Sequence, residues 1–276
     1  MAVSTPLPRT RPLTNAFNAS QTLFVALNAI GLVAYLAPFF APGLREDGMA
    51  TFAHRTDAPI VFAATAALCL VLVVADLTAG GLNSKSLAAL GVLAALAAVL
   101  RTITLPAGAN LYFFLVLLGA YAFGPRMGFL LGALSFFLSA VVTGGFGPWL
   151  PFQMFAAAWM GVCAGWLGWW LPKLRVTGRA EVAAVVGLGI AWGLLFGAIT
   201  NLWSWPFFAA GPDISYQAGL GPAETLRRYW NYYILTSFGW DLIRSLCNAV
   251  VLIIVGGPLL RALVRFRQRF SFELDG

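Results

Sequence analysis

The sequence predicts an all-α, polytopic helical membrane protein with about eight transmembrane segments. Three observations carry that expectation. Sixty per cent of the 276 residues are apolar and only 10% are charged, against about 25% in ordinary soluble chains. Seventeen basic and 10 acidic side chains cannot cover a soluble fold of this size, whereas a bilayer asks for no such cover. The apolar residues fall in runs close to the ~20 residues a helix needs to cross hydrocarbon. Ten Trp, seven Tyr and 22 Phe add rings that favour membrane interfaces. Disorder, collagen and nucleic-acid binding are set aside.

Residues 1–20 are polar, carry Pro6, Pro8, Pro12, Arg9 and Arg11, and read as a loose cytoplasmic tail. The run 21–41 is long for a signal peptide and lacks a small-residue cleavage site, so it reads as a retained span. With the run 58–77 it makes an amino-terminal hairpin over 21–80. Further runs fall at 85–102, 110–123, 127–143, 150–171, 182–204 and 236–260. The fourth run is short and is parted from the fifth only by Gly124-Pro125-Arg126. A short run at membrane depth needs protein or a cavity around it. Two readings stay open there, a Pro/Gly-interrupted helix beside a binding site or a tight cytoplasmic hairpin. The longest loop, about 205–231, faces out, and residues 266–276 form a second cytoplasmic tail.

Charge orients the chain. With the amino terminus inside, eleven of the 17 basic residues are cytoplasmic, among them Lys85, Arg126, Lys173, Arg261 and Arg265. Five, Arg45, Arg55, Arg101, Arg227 and Arg228, fall outside, and Arg244 lies within a span. That bias follows the positive-inside rule and puts both termini in the cytoplasm.

Several chemistries have no motif here. No GxxxxGK[ST] phosphate loop is present, and the glycines of Thr143-Gly144-Gly145-Phe146-Gly147-Pro148 follow no strand. There is no HExxH and no acidic cluster for a divalent ion. Cys69, Cys163 and Cys247 sit in apolar runs without CxxC spacing, and His54 is the single histidine. The expectation is therefore a protein that is not an enzyme and holds no metal or cofactor.

Polar groups gather at one depth. Asp241 and Arg244, three apart on one helix face, stand near the outer end of the last span. Arg101 ends the third span, Asn110 opens the fourth, Gln153 opens the sixth and Asn201 closes the seventh. Tyr112, Trp149, Trp203, Trp205, Tyr232, Tyr233 and Trp240 bring rings to the same layer. Apolar and aromatic walls with a few placed polar groups are the make-up of a ligand pocket. An interfacial aromatic belt, a structural ion pair and interhelical hydrogen bonds are the alternatives. The third span carries a further pattern. Gly91/Ala95 and Ala94/Ala98 fall four apart, a stripe where another helix can approach closely, whether inside the bundle or in a partner.

From about Ser86 onward the chain resembles the S component, the substrate-binding membrane subunit, of energy-coupling factor (ECF) transporters. The Ala-rich run Ser86–Ala98 carries part of the resemblance. So does Leu115–Phe129 with Gly119, Tyr121, Gly124, Pro125 and Gly128, leading through Gly132 and Ser139 to Gly144-Gly145-Phe146-Gly147-Pro148-Trp149 and Pro151-Phe152-Gln153-Met154. Gly197–Pro206, with Asn201, Trp203 and Trp205, and Ser237–Asp241 complete it. The resemblance implies a six-helix core over 81–265 and leaves the first two spans as an added hairpin. It implies capture of a vitamin or related micronutrient, closest to S components of the cobalamin-related group. It also implies delivery inward with a transmembrane T component and two cytoplasmic ATPases, in a bacterial cytoplasmic membrane. On that mapping Arg101, Asn110, Tyr112, Trp149, Gln153, Asn201, Trp203, Trp205, Tyr233, Trp240, Asp241 and Arg244 face the substrate, and Gly91, Ala94, Ala95 and Ala98 dock the T component. A stand-alone permease and a small intramembrane enzyme or scaffold subunit are the rival classes.

Overall fold

The computed structural model describes residues 13–40, 58–78, 83–105, 109–208 and 211–271. Their helices are α1 (Leu13–Phe40), α2 (Ala58–Thr78), α3 (Ser84–Thr102), α4 (Phe113–Phe123), α5 (Pro125–Thr143), α6 (Leu150–Trp170), α7 (Arg179–Asn201), α8 (Pro222–Thr236), α9 (Phe238–Val251) and α10 (Gly257–Ser271). Among the described residues the only β pairing is an isolated bridge between Thr104 and Asn110. Seven helical stretches are long and apolar enough to cross a bilayer, and α4 is an eighth, shorter apolar helix. The molecule is an all-α polytopic membrane protein, and its eight apolar segments are those the sequence predicts.

Three boundaries are corrected. α1 begins at Leu13, well inside the stretch read as a tail, because nothing from Leu13 to Ser20 breaks a helix. The stretch 205–231 is not all loop. Trp205–Phe207 forms a 3-10 turn and α8 occupies its second half. α8 opens with Pro222 after Gly221, a favoured helix start, but Glu224, Arg227 and Arg228 hide it from any hydropathy window. The last span does not stop near 260. α9 passes through a turn of π-helix, Leu252–Gly256, into α10, which continues to Ser271. Pro258 cannot donate to the helical ladder, and the π turn carries the chain past it. Arg9, Arg11, Arg45, His54 and Arg55 lie outside the described residues.

α4 sits at the centre. Phe113 and every residue from Leu115 to Ala122 are buried, so a helix too short to cross hydrocarbon by itself never meets lipid. It folds back on α5 at Gly124, whose φ of 96° suits glycine. That resolves the open alternative at Gly124-Pro125 in favour of a tight hairpin. α5 and α6 approach so closely that a Cβ on Gly128 would fall on the Gly161 carbonyl, and one on Gly132 on the Ala157 carbonyl. Small residues in a membrane bundle permit this backbone contact.

The amino-terminal hairpin is fixed to this core at both ends. At one end Arg126 Nη1 donates to Asp76 Oδ1 and to Ser20 Oγ, each at 3.0 Å, and Ser20 bonds Asp76 in turn. At the other, the Tyr35 hydroxyl donates to the Phe152 carbonyl at 2.6 Å, and Gly31 lies against the Phe155 ring.

Candidate functional site

The carboxyl ends of α3, α5 and α7 and the amino-terminal half of α9 meet above α4 in a chain of cations and rings. α4 begins level with the middle of α5, where the buried Tyr112 hydroxyl meets the Gly132 carbonyl at 3.2 Å and Ser135 Oγ at 2.9 Å. The long helices therefore rise past it. Arg101, in the last turn of α3, donates to Ser139 Oγ at 2.9 Å and lies over the Phe136 ring at 4.3 Å. Phe136 stacks on Phe196 of α7, centroids 5.6 Å apart. The Arg244 guanidinium of α9 stands 5.5 Å from the Phe196 ring and equally far from Phe113. Two arginines thus bracket a pair of stacked phenylalanines, and Tyr112 and Phe113 set their edges against that pair.

Asp241 and Arg244 form the ion pair their spacing predicts, Nη1 to Oδ1 at 2.6 Å. Local sequence explains why both can be inside. Gly189, Gly193 and Gly197 run down one face of α7, and α9 lays its polar face on them. Ser245 donates to the Ile190 carbonyl at 2.9 Å, Asn248 to Gly189 at 3.3 Å and Arg244 to Gly193 at 3.2 Å. The Asp241 carboxylate fills the space a side chain at Gly197 would occupy. Its Oδ2 has no hydrogen-bond partner, and the residue is 2% exposed. Asp241 is thus aimed at helix α7.

The remaining candidates separate. Asn201 donates to Ser237 Oγ at 2.6 Å and ties α7 to the start of α9. Asn110 accepts from the Tyr112 amide at 3.2 Å and turns the chain into α4. Trp203 stacks on Phe152, next to the half-buried Gln153. Trp205 is 1% exposed. Its indole donates to the Ile214 carbonyl at 2.8 Å, and Phe39, Tyr216 and Tyr229 enclose it. It anchors the 205–231 loop and is almost wholly enclosed. Tyr233 is buried on the inner face of α8, its hydroxyl on the Leu194 carbonyl at 3.3 Å and close to the Asp241 carboxylate. Trp149 and Trp240 lie on the outside.

The structure therefore joins Arg101, Tyr112, Asp241 and Arg244 into one cluster, with Tyr233 beside Asp241, and leaves the other seven around it. Phe113, Phe136 and Phe196, which connect them, escape sequence reasoning because nothing marks three rings among 22 Phe. Arginines against aromatic faces suit an anionic or carbonyl-bearing ligand. Among the described residues no group of three or more His, Cys, Asp or Glu could hold a metal ion.

The small-residue stripe is divided. Ala94 and Ala98 are buried with Leu90, Leu93 and Ala97 on the side of α3 that packs on α5. Gly91 and Ala95 are exposed, in line with Ala88 and beside Val92 and Leu96. The Ala94/Ala98 side of the stripe is thus packed inside the bundle, the first of the two uses its spacing allows.

The family described as ECF transporter, substrate-specific component, matches residues 85–256, from the second residue of α3 to the last residue of the π turn. No curated protein and no solved structure matches the chain. The match covers more than half of the sequence, and it falls on the helices that carry the cation–aromatic cluster and on the exposed Gly91/Ala95 line. This multi-pass membrane protein belongs to the family of substrate-specific components of ECF transporters.

Proposed function

We propose that this protein captures a vitamin-class micronutrient at the end of the bundle where Arg101 and Arg244 lie, and passes it inward together with a T component and two ATPases. The family match over 85–256 carries the reading. The cation–aromatic cluster supports it, since among the described residues Arg101 bonds through Nη1 to Ser139 while arginine has five N–H donors. Cobalamin or a relative, a large ring bearing many amide carbonyls, is the proposed substrate within that class. ATP hydrolysis belongs to the partners, because this chain carries no nucleotide motif. The exposed Ala88, Gly91 and Ala95 line is the proposed seat of the T component. The Arg101 end faces outward from a bacterial cytoplasmic membrane.

The test is a thermal-shift screen of vitamins, cobalamins included, on detergent-solubilised protein without nucleotide. One compound is expected to stabilise the protein, and Arg101→Ala to weaken its binding at least tenfold with the unliganded melting temperature little changed. A screen in which nothing binds overturns the proposal. Transport by the chain alone, without ATPases, establishes a permease instead.

A further inference from the structure

α8 meets α9 without a loop: Thr236 ends one helix, Ser237 turns, and Phe238 begins the other. α9 belongs to a membrane-crossing stretch, so the carboxyl end of α8 stands at the membrane boundary. The surface of α8 divides into three sectors at helical spacing. Tyr229, Tyr232 and Tyr233 turn toward the protein, with the Tyr229 and Tyr233 hydroxyls on the Ala198 and Leu194 carbonyls of α7. Glu224, Arg227 and Asn231 form a polar sector that ends at the exposed Leu235 beside the membrane boundary, and there Arg227 Nη2 and Arg228 Nε hold Glu224 Oε1 at 2.7 and 2.8 Å. Leu226, Trp230 and Ile234, four apart, form a third sector that the protein leaves 67%, 59% and 40% exposed.

We infer that α8 is an interfacial helix, with the Leu226–Trp230–Ile234 stripe immersed in the acyl-chain boundary of the bilayer and the Glu224–Arg227–Asn231 sector in water. What covers the stripe follows from its neighbours. The chain continues from it directly into α9, whose exposed Leu242, Leu246 and Val250, four apart, form a face that lipid must cover because α9 crosses the membrane. Alongside, the stripe borders an open apolar groove of about 400 Å³ between α8 and the end of α1, lined by Leu36, Phe40, Leu202 and Leu220. Lipid therefore reaches the stripe from both neighbours. A protein partner would have to displace it from two spans as well. Trp at the rim and charge on the opposite sector are the marks of a helix lying in the interface plane. The Trp205-anchored outer loop thus ends in a helix held by the membrane as well as by the protein.

The experiment uses the full chain in phosphatidylcholine vesicles, with Cys69, Cys163 and Cys247 replaced by Ala. Nitroxide labels are attached through Leu226→Cys, Trp230→Cys and Ile234→Cys, and in the other sector through Arg227→Cys and Asn231→Cys. The first three are expected to collide several-fold more with oxygen than with a water-soluble nickel chelate, and the last two to show the reverse. Preference for nickel at all five positions overturns the inference. Low access to both reagents at the first three also overturns it and identifies a protein partner, such as a second copy. A second measurement needs no label: brominated lipid should quench the wild type more than Trp230→Phe, and equal quenching counts against lipid contact.

Discussion

At Asp241 a single missing side chain decides how a charge is accommodated. Gly197 leaves room for the carboxylate, Arg244 neutralises it at 2.6 Å, and Oδ2 rests against α7 without a hydrogen bond. Removing one partner of a buried pair costs about 3–5 kcal/mol, because the other charge is left uncompensated. Arg244 is 21% exposed and Asp241 only 2%, so the two halves are not equivalent. Arg244→Ala should lower the apparent melting temperature in detergent more than Asp241→Asn does. The double variant Asp241→Asn/Arg244→Ala should recover part of the loss. Equal losses in both single variants would mean that the carboxylate is not sealed against α7.

Two elements show how packing and charge divide the work. On α7, Gly193 meets Ser245 of α9 so closely that no Cβ fits, whereas Gly187 faces open space. Gly in a helix interior costs about 0.5–1 kcal/mol relative to Ala. Gly187→Ala should therefore stabilise by that amount, while Gly193→Ala should destabilise by forcing α9 away; apparent melting temperatures check both signs. On α8, Arg227 and Arg228 hold the exposed Glu224 down from an ordinary 4.5 to about 2, and its place in the first turn suits the helix dipole. A carboxylate whose folded value is depressed contributes above its unfolded value and loses that contribution as pH falls toward the folded one. Amide exchange over 222–236 should thus show no protection change from this group above pH 4.5 and a loss between 4.5 and about 2. Glu224→Gln should raise exchange in that first turn at neutral pH. The effect should be small and salt-sensitive, since the pair is exposed.

For the whole molecule, counting α4 among the membrane segments gives an even number among the described residues, and we expect both termini on one side. With Arg261, Arg265 and Arg267 on α10, the positive-inside rule makes the cytoplasm the expected side. Cleavable tags at the two ends should both be cut in inverted vesicles and both be protected in right-side-out vesicles. Opposite behaviour of the two tags would mean that α4 and its lead-in do not complete a crossing. The amino-terminal hairpin is tied to the core at two levels: Asp76 and Ser20 share Arg126 at the α4–α5 turn, and Tyr35 holds α6.

By itself the sequence determined the class, the number and order of apolar segments, and the depth at which Arg101, Tyr112, Asp241 and Arg244 meet. Composition and run length answer to the bilayer, whose demands are one-dimensional and can be read along the chain. The pairing of Asp241 with Arg244 was legible for a similar reason, since residues three apart on a helix are neighbours. Only the tertiary structure decided which face of each segment turns inward. It hid Ala94 and Ala98 against α5, sealed Trp205 among rings from three elements, and threaded Phe136 and Phe196 between two arginines. α8 was missed because an amphipathic helix at an interface satisfies neither the hydropathy of a span nor the glycine and proline content of a loop. Its Leu226, Trp230 and Ile234 acquire meaning only beside α9 and α1. In a chain where nearly every segment is apolar all round, periodicity carries little information about facing, and close packing of small residues supplies what the pattern leaves open.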